Sequence, residues 1–130
     1  MQKTIMVVNA NPDECRDLCR LLEGSHYLAV PLVTLSELMN RLTEAGCNAV
    51  ILDLDSLPVD NRFICRLGKE HPALCLIGIS SRHFHPELEE AMRAHISACL
   101  SKPVNEDELL FWLKSLCGRD SRPRASPSAG

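Results

Sequence analysis

Four consecutive apolar residues, Ala49-Val50-Ile51-Leu52, follow Gly46 and Asn48 and stop at a carboxylate, Asp53. A short, unalternating apolar run of this kind reads as a strand buried on both faces. Such strands belong to parallel sheets covered by helices on each side. In an open parallel sheet, ligands and chemistry gather at the carboxyl ends of the strands. Asp53 stands at such an end. Two readings follow: a site carboxylate, or a cap for the next turn, which also holds Asp55, Ser56 and Pro58.

The rest of the chain supplies partners for that strand. Thr4-Ile5-Met6-Val7-Val8 predicts a first strand, ending at Asn9-Ala10-Asn11-Pro12. Pro12 opens a helix with Asp13 and Glu14 in its first turn, where carboxylates favour the dipole. Cys15, Leu18, Cys19, Leu21 and Leu22 recur at helical spacing up to Gly24. Tyr27 to Val33 is a second apolar run, and its Pro31 cannot donate a ladder hydrogen bond, which places it near a sheet edge. Thr34 or Ser36 caps a second helix through Leu38, Met39 and Leu42, stopped by Gly46. A third helix runs from Asp60 to Glu70 on Phe63, Ile64 and Leu67. Ala73 to Ile79 is a fourth strand, ending at Ser80-Ser81. A fourth helix begins near Pro86 with Glu87, Glu89 and Glu90. Ser97 to Ser101 forms a short fifth strand before Lys102-Pro103. The last helix takes Asn105 as cap, carries Glu106, Asp107 and Glu108 in its first turn, and is expected to bury Leu109, Leu110, Trp112, Leu113 and Leu116.

Five strands alternating with five helices predict an α/β fold, a doubly wound five-stranded parallel sheet. Right-handed crossovers then bring Asn9-Ala10-Asn11, Asp53, Ser80-Ser81 and Lys102 to one edge. The 130 residues suffice for one domain that buries about two thirds of its unfolded surface. That domain is expected over 1–117, with 118–130, rich in Arg, Ser, Pro and Ala, as a disordered tail. A net charge of −3 gives no reason to expect nucleic acid. No apolar run approaches the ~20 residues of a membrane span. Seven cysteines, an odd number mostly on apolar faces, suit a reducing cytoplasm better than a disulfide framework. His83-Phe84-His85, with His71 and His95, lacks a fixed third ligand and reads as a polar loop rather than a metal centre. Cys15 and Cys19 read as small core residues. No Gly-rich phosphate loop, nucleophile elbow or catalytic His–Cys pairing is present.

The strand-end set resembles that of a bacterial response regulator receiver domain, the chemotaxis-type (βα)5 flavodoxin-like fold, over about Lys3 to Leu116. The register Asn48-Ala49-Val50-Ile51-Leu52-Asp53 matches the family's third strand, whose aspartate accepts a phosphoryl group. Ser80 matches the hydroxyl residue ending the fourth strand, with Ser81 adjoining it. Lys102-Pro103 matches the lysine-proline that carries a cis bond, and Ala91 to Pro103 follows the family's approach to it without a gap. The resemblance implies a signalling module rather than an enzyme, with Asp53 as phosphoacceptor and Ser80 and Lys102 as switch and phosphate-contacting residues. In those terms the carboxylate attacks phosphorus, the lysine neutralises phosphoryl oxygens and the hydroxyl hydrogen-bonds one of them. Magnesium usually supplies the largest charge stabilisation.

The departures fall on the metal site. Asn9 and Ala10 stand where the family carries two adjacent acidic residues that hold magnesium, so this acidic pocket is degenerate. Magnesium typically takes one or two carboxylates, and each close carboxylate is worth on the order of several kcal/mol at an effective dielectric of ~20. Weak or absent magnesium binding is therefore expected, with Asp13 a substitute that faces solvent. Pro58 lies five residues beyond Asp53 rather than four: either the loop carries one extra residue, or Asp55 has moved into the site. Cys99 stands where the family often has an aromatic residue. The expected function is a stand-alone, atypical receiver-like module of a two-component phosphorelay, acting through protein contacts. The alternatives are a working phosphoacceptor, phosphorylated on Asp53 by a histidine kinase, and a small hydrolase, which lacks a base near any nucleophile. Expected partners are a sensor histidine kinase or a downstream signalling protein, with a homodimer through the fourth helix, fifth strand and fifth helix, including Phe111 and Trp112.

Overall fold

The computed structural model describes residues 3–42, 49–82 and 88–117, without the side chain of Cys117. The readings that fall on Gly46, Cys47, Asn48, His83-Phe84-His85, Pro86, Glu87 and the tail 118–130 lie outside the described residues. The elements are β1 Thr4–Val8, α1 Pro12–Glu23, β2 Leu28–Leu32, α2 Leu35–Leu42, β3 Ala49–Asp53, α3 Asn61–Glu70, β4 Cys75–Ser80, α4 Glu89–His95, β5 Ala98–Ser101 and α5 Glu106–Trp112. A π-helical turn, Leu113–Cys117, continues α5.

The strands pair in the order β2-β1-β3-β4-β5, every neighbour parallel. This is the doubly wound sheet that the alternating elements predict. β3, apolar throughout, takes the centre and is buried at all five positions. β2, interrupted by Pro31, takes an edge, where a missing N–H costs least. Side chains alternate between two cores. Ile5, Val7, Ala49, Ile51, Ile77, Ile79 and Leu100 pack with α1 and α5 through Cys15, Cys19, Leu22, Leu109 and Leu113. Met6, Val8, Val50, Leu52 and Leu76 pack on the other face with Leu38, Leu42, Ile64, Leu67 and Ala91 from α2, α3 and α4. Cys15 and Cys19 are core residues as expected, and burial, with Cys15 adjacent, pushes the Cys19 thiol up to about 12.

Helix starts follow their cap chemistry. Asn11 Oδ1 accepts from the N–H groups of Asp13 and Glu14, Asp60 from Phe63, and Asn105 from Glu108. Between the two candidates for α2, Thr34 takes the cap: its hydroxyl accepts from Glu37 N while Glu37 Oε1 accepts from Val33 N. Three strands are shorter than the sequence reading. β2 is Leu28–Leu32 rather than Tyr27 to Val33, β4 begins at Cys75 rather than Ala73, and β5 begins at Ala98 rather than Ser97. Leu116, expected to be buried, is 38% exposed, and Leu110 and Trp112 are only partly covered. The π-helical turn adds a residue per turn and carries the apolar stripe off the sheet after Leu113.

Candidate functional site

Strand register assembles the site. Val8 pairs with Leu52, Asp53 with Ile79, and Ser80 with Ser101. Asn9, Asp53, Ser80 and Lys102 therefore leave the sheet on neighbouring strands at the same height. Asn9, Asp53 and Ser80 are the three buried polar residues among those described. The Lys102-Pro103 bond is cis.

The two carboxylate oxygens of Asp53 differ in their partners. Oδ2 accepts from Ser56 N at 2.9 Å and so caps the turn. Oδ1 is buried and takes no well-aligned hydrogen bond; its close neighbour is the Lys102 ammonium, 2.7 Å away. Asp55 was open between an extra loop residue and a move into the site. It is in the site together with Asp53, not in place of it: Lys102 Nζ lies 3.2 Å from Asp55 Oδ2, and Ser80 Oγ donates to Asp55 Oδ1 at 2.8 Å. Burial acts to raise the Asp55 pKa. Hydrogen bonds from Ser81 N–H, from the Ser80 and Ser81 hydroxyls and from Lys102 outweigh it and hold the carboxyl well below the usual carboxylate range.

Glu14 is the site residue that sequence reasoning missed. It reads as a first-turn acid favouring the α1 dipole, yet its Oε1 lies 3.5 Å from Lys102 Nζ and accepts from Asn9 Nδ2 at 3.2 Å. Its spacing of five from Asn9, across the Asn11 cap, was the available signal. Three carboxylates thus converge on one ammonium. Desolvation acts to lower the Lys102 pKa, and the hydrogen bonds and charges of Asp53, Asp55 and Glu14 reverse it to a net rise. Beside Lys102 an open cleft of about 640 Å³ runs along α1, lined by Asn9, Glu14, Asp17, Asp53, Pro103 and Val104 among others.

Magnesium, which the resemblance implies, asks for a near-octahedral shell of oxygens. Asn9 Oδ1 is engaged by Asn11 N at 2.8 Å and by Ser56 Oγ at 3.2 Å. Ala10 offers only its N–H, which donates to Ser56 Oγ. Asp55 is engaged by Ser80, Ser81 and Lys102, and Asp13 faces solvent beside Arg16, its side chain 85% exposed. The remaining carboxylate oxygens, Asp53 Oδ1 and Glu14 Oε1, face the Lys102 ammonium at 2.7 and 3.5 Å, so as arranged the donor set does not match a magnesium shell. Among the described residues no group of three or more His, Cys, Asp or Glu is disposed to hold a metal ion. No described helix is long and apolar enough to cross a membrane.

No protein-family model matches the chain, and no curated protein matches it in sequence. Solved structures match its fold. A signal receiver domain of an HD domain-containing protein from Pseudomonas fluorescens Pf-5 superposes with a TM-score of 0.79 at 19% identity, over 89% of this chain and 94% of that one. A CheY-like response regulator receiver domain protein from Methanospirillum hungatei JF-1 gives 0.79 at 20%, over 88% and 93%. A response regulator from Burkholderia pseudomallei with a phosphorylated aspartic acid, calcium ion and citrate gives 0.73 at 19%, over 88% of this chain and 66% of that one. The chain has the receiver fold.

Proposed function

We propose that this chain of receiver fold is a signalling module of a two-component phosphorelay, with Asp53 at the phosphoacceptor position and Lys102, not a divalent cation, balancing its charge. The observation that carries the reading is the 2.7 Å contact between Lys102 Nζ and the buried Asp53 Oδ1 at the carboxyl edge of the sheet. A carboxylate is a weak nucleophile toward phosphorus, because the entering phosphoryl group brings further negative charge. The ammonium offsets part of that charge and orients the attacking oxygen. With neutral residues at Asn9 and Ala10, magnesium binding is weak or absent, and the module works chiefly through protein contacts with a histidine kinase or a downstream signalling protein. The face of α4, β5 and α5 is the contact surface favoured. Phe111, 59% exposed and edge-on to Trp112 with ring centroids 5.3 Å apart, is its apolar anchor. Trp112 contributes less than the sequence suggests, because it packs partly against the core.

The experiment is incubation with a small phosphodonor plus magnesium, followed by intact mass. No stoichiometric adduct is the expected result. A second reading, a working phosphoacceptor, is favoured by Asp53 Oδ1, which has Lys102 as its close neighbour and lies beside an open cleft. An adduct lost in Asp53→Asn and kept in Asp55→Asn would establish it and overturn the first.

A further inference from the structure

Asp55 sits in a donor set that a carboxylate shares with phosphate. Its Oδ1 accepts from Ser80 Oγ at 2.8 Å, and its Oδ2 accepts from Ser81 N at 2.8 Å and Ser81 Oγ at 2.9 Å. Lys102 Nζ stands 3.2 Å from Oδ2. The direction of the first bond is fixed, because Ser80 Oγ itself accepts from Arg82 N at 2.9 Å and so has its proton to give. Two hydroxyls, a main-chain N–H and an ammonium aimed at one anion are what a phosphoryl group requires of a protein.

We propose that Asp55 is the resident occupant of this oxyanion pocket, an internal stand-in for phosphate that holds Ser80, Ser81 and Lys102 in their anion-bound arrangement and keeps an external phosphate out. The proposal rests on reading the strand-end pocket as a receiver's and goes beyond it by naming what fills it.

The loop is built to hold that carboxylate in place. Leu54 N donates to Ile79 O at 2.9 Å, extending the pairing of β3 with β4 one residue past Asp53. The Leu54 side chain lies 8% exposed over Gly78, where an added Cβ would stand 3.0 Å from Leu54 Cδ1. Leu57 is likewise buried, and its N donates to Asp53 O. Ser56, between them, donates to Asp53 Oδ2 and Asn9 Oδ1. With its neighbours fixed, Asp55 is presented at an effective concentration on the order of millimolar or higher, and its side chain is only 22% exposed. A free phosphate has to displace a tethered anion and join Asp53 and Glu14 around the same ammonium.

The test follows the Ser81 amide by NMR as inorganic phosphate is titrated into the full chain. In the wild type the resonance should stay fixed. In Asp55→Ala it should move on mutation, then shift back toward its wild-type position as phosphate binds, saturating at a concentration ~tenfold or more below the highest at which the wild type stays fixed. A saturable response of the wild-type amide would show the pocket open and overturn the proposal. So would a folded Asp55→Ala that takes up no phosphate. If that variant does not fold, the wild-type Asp55 carboxyl carbon decides: titration well below the usual carboxylate range supports occupancy, and an ordinary titration overturns it. Taken together the two measurements separate the readings. A phosphoryl adduct on wild-type Asp53 with Ser81 silent to free phosphate counts against the cation-independent pocket, whereas a phosphate response at wild-type Ser81 with no adduct on Asp53 counts against a resident Asp55.

Discussion

At Lys102 one ammonium answers three carboxylates, with Nζ 2.7 Å from Asp53, 3.2 Å from Asp55 and 3.5 Å from Glu14. Of the three, Asp53 depends on it most, because its side chain is 3% exposed and cannot turn to water. Lys102→Met should therefore cost about 3 kcal/mol in urea unfolding, the order expected when a buried charge loses its partner. Adding Asp53→Asn should recover most of that loss, because the carboxylates that then remain, Asp55 and Glu14, are 22% and 53% exposed and can turn to water. Equal losses in the single and double variants would show that the lysine acts by packing alone. Asp55 carries a pH signature of known sign. Its folded pKa lies below the unfolded value of 3.8, so the stability from its contacts is fully present above 3.8 and is lost as the pH falls from there through the folded value. The urea midpoint of the wild type should exceed that of Asp55→Asn by a constant margin between about pH 5 and 9, and the margin should shrink below about pH 4. A margin that grew on acidification would contradict the assigned donors. Asp53, Ser80 and Lys102 were legible in the sequence because each stands at a strand end or just past it. Asp55 was legible only as an alternative to Asp53, and Glu14 not at all, because both depend on how a turn brings the chain back over the sheet.

Elements were read well where their apolar period is long, and less well where a neighbour decides. β3 declares itself through four apolar residues in a row, whereas the last turn after α5 does not. A straight continuation of the helix would have kept Leu116 on the sheet, and the π-helical turn at Leu113 removes it. Packing of α3 against α4 is a second case in which pattern alone is silent. Gly68, near the end of α3, reads as a weak helix residue, worth up to ~1 kcal/mol less than alanine. Its reason is the His95 ring, since a Cβ at Gly68 would overlap His95 Nδ1 and stand 2.6 Å from Cγ. The ring belongs to the last residue of α4, which is also tied to α3 where Ala91 N donates to Asn61 Oδ1. Gly68→Ala should thus destabilise the wild type while raising the thermal midpoint in a His95→Ala background. The difference, read by a double-mutant cycle, should be ~1 kcal/mol or more. Additive effects would mean that the ring moves aside without cost.

For the whole molecule the sequence disclosed the layered sheet and the edge where chemistry gathers, which follow from alternation and chain direction, and the edge strand, which follows from Pro31. It did not disclose the charge state of the edge where chemistry gathers, which depends on side chains from α1, β3, the loop between β3 and α3 and the residue after β5 meeting at one point. Here the chain supplies its own cation in Lys102, and the molecule should respond accordingly to an added one. A ligand that binds only the folded state stabilises it by RT ln(1 + [L]/Kd), so ~10 mM magnesium acting on a site of Kd ~1 mM would add about 1.4 kcal/mol. In a domain of this size that corresponds to several degrees in thermal midpoint. The wild type should show no such shift. Replacing Asn9→Asp and Ala10→Asp together restores an acidic pair at the end of β1, beside the buried Asp53. Without metal that variant should melt below the wild type, because a new carboxylate at the buried Asn9 position faces Asp53 and takes away the amide that donates to Glu14. With magnesium it should recover, because the added carboxylates supply the hard oxygens that the ion requires. A magnesium-dependent rise in the wild type equal to that of the variant would show that Asp53 and Glu14 suffice to hold the ion, and that the ammonium of Lys102 does not replace it.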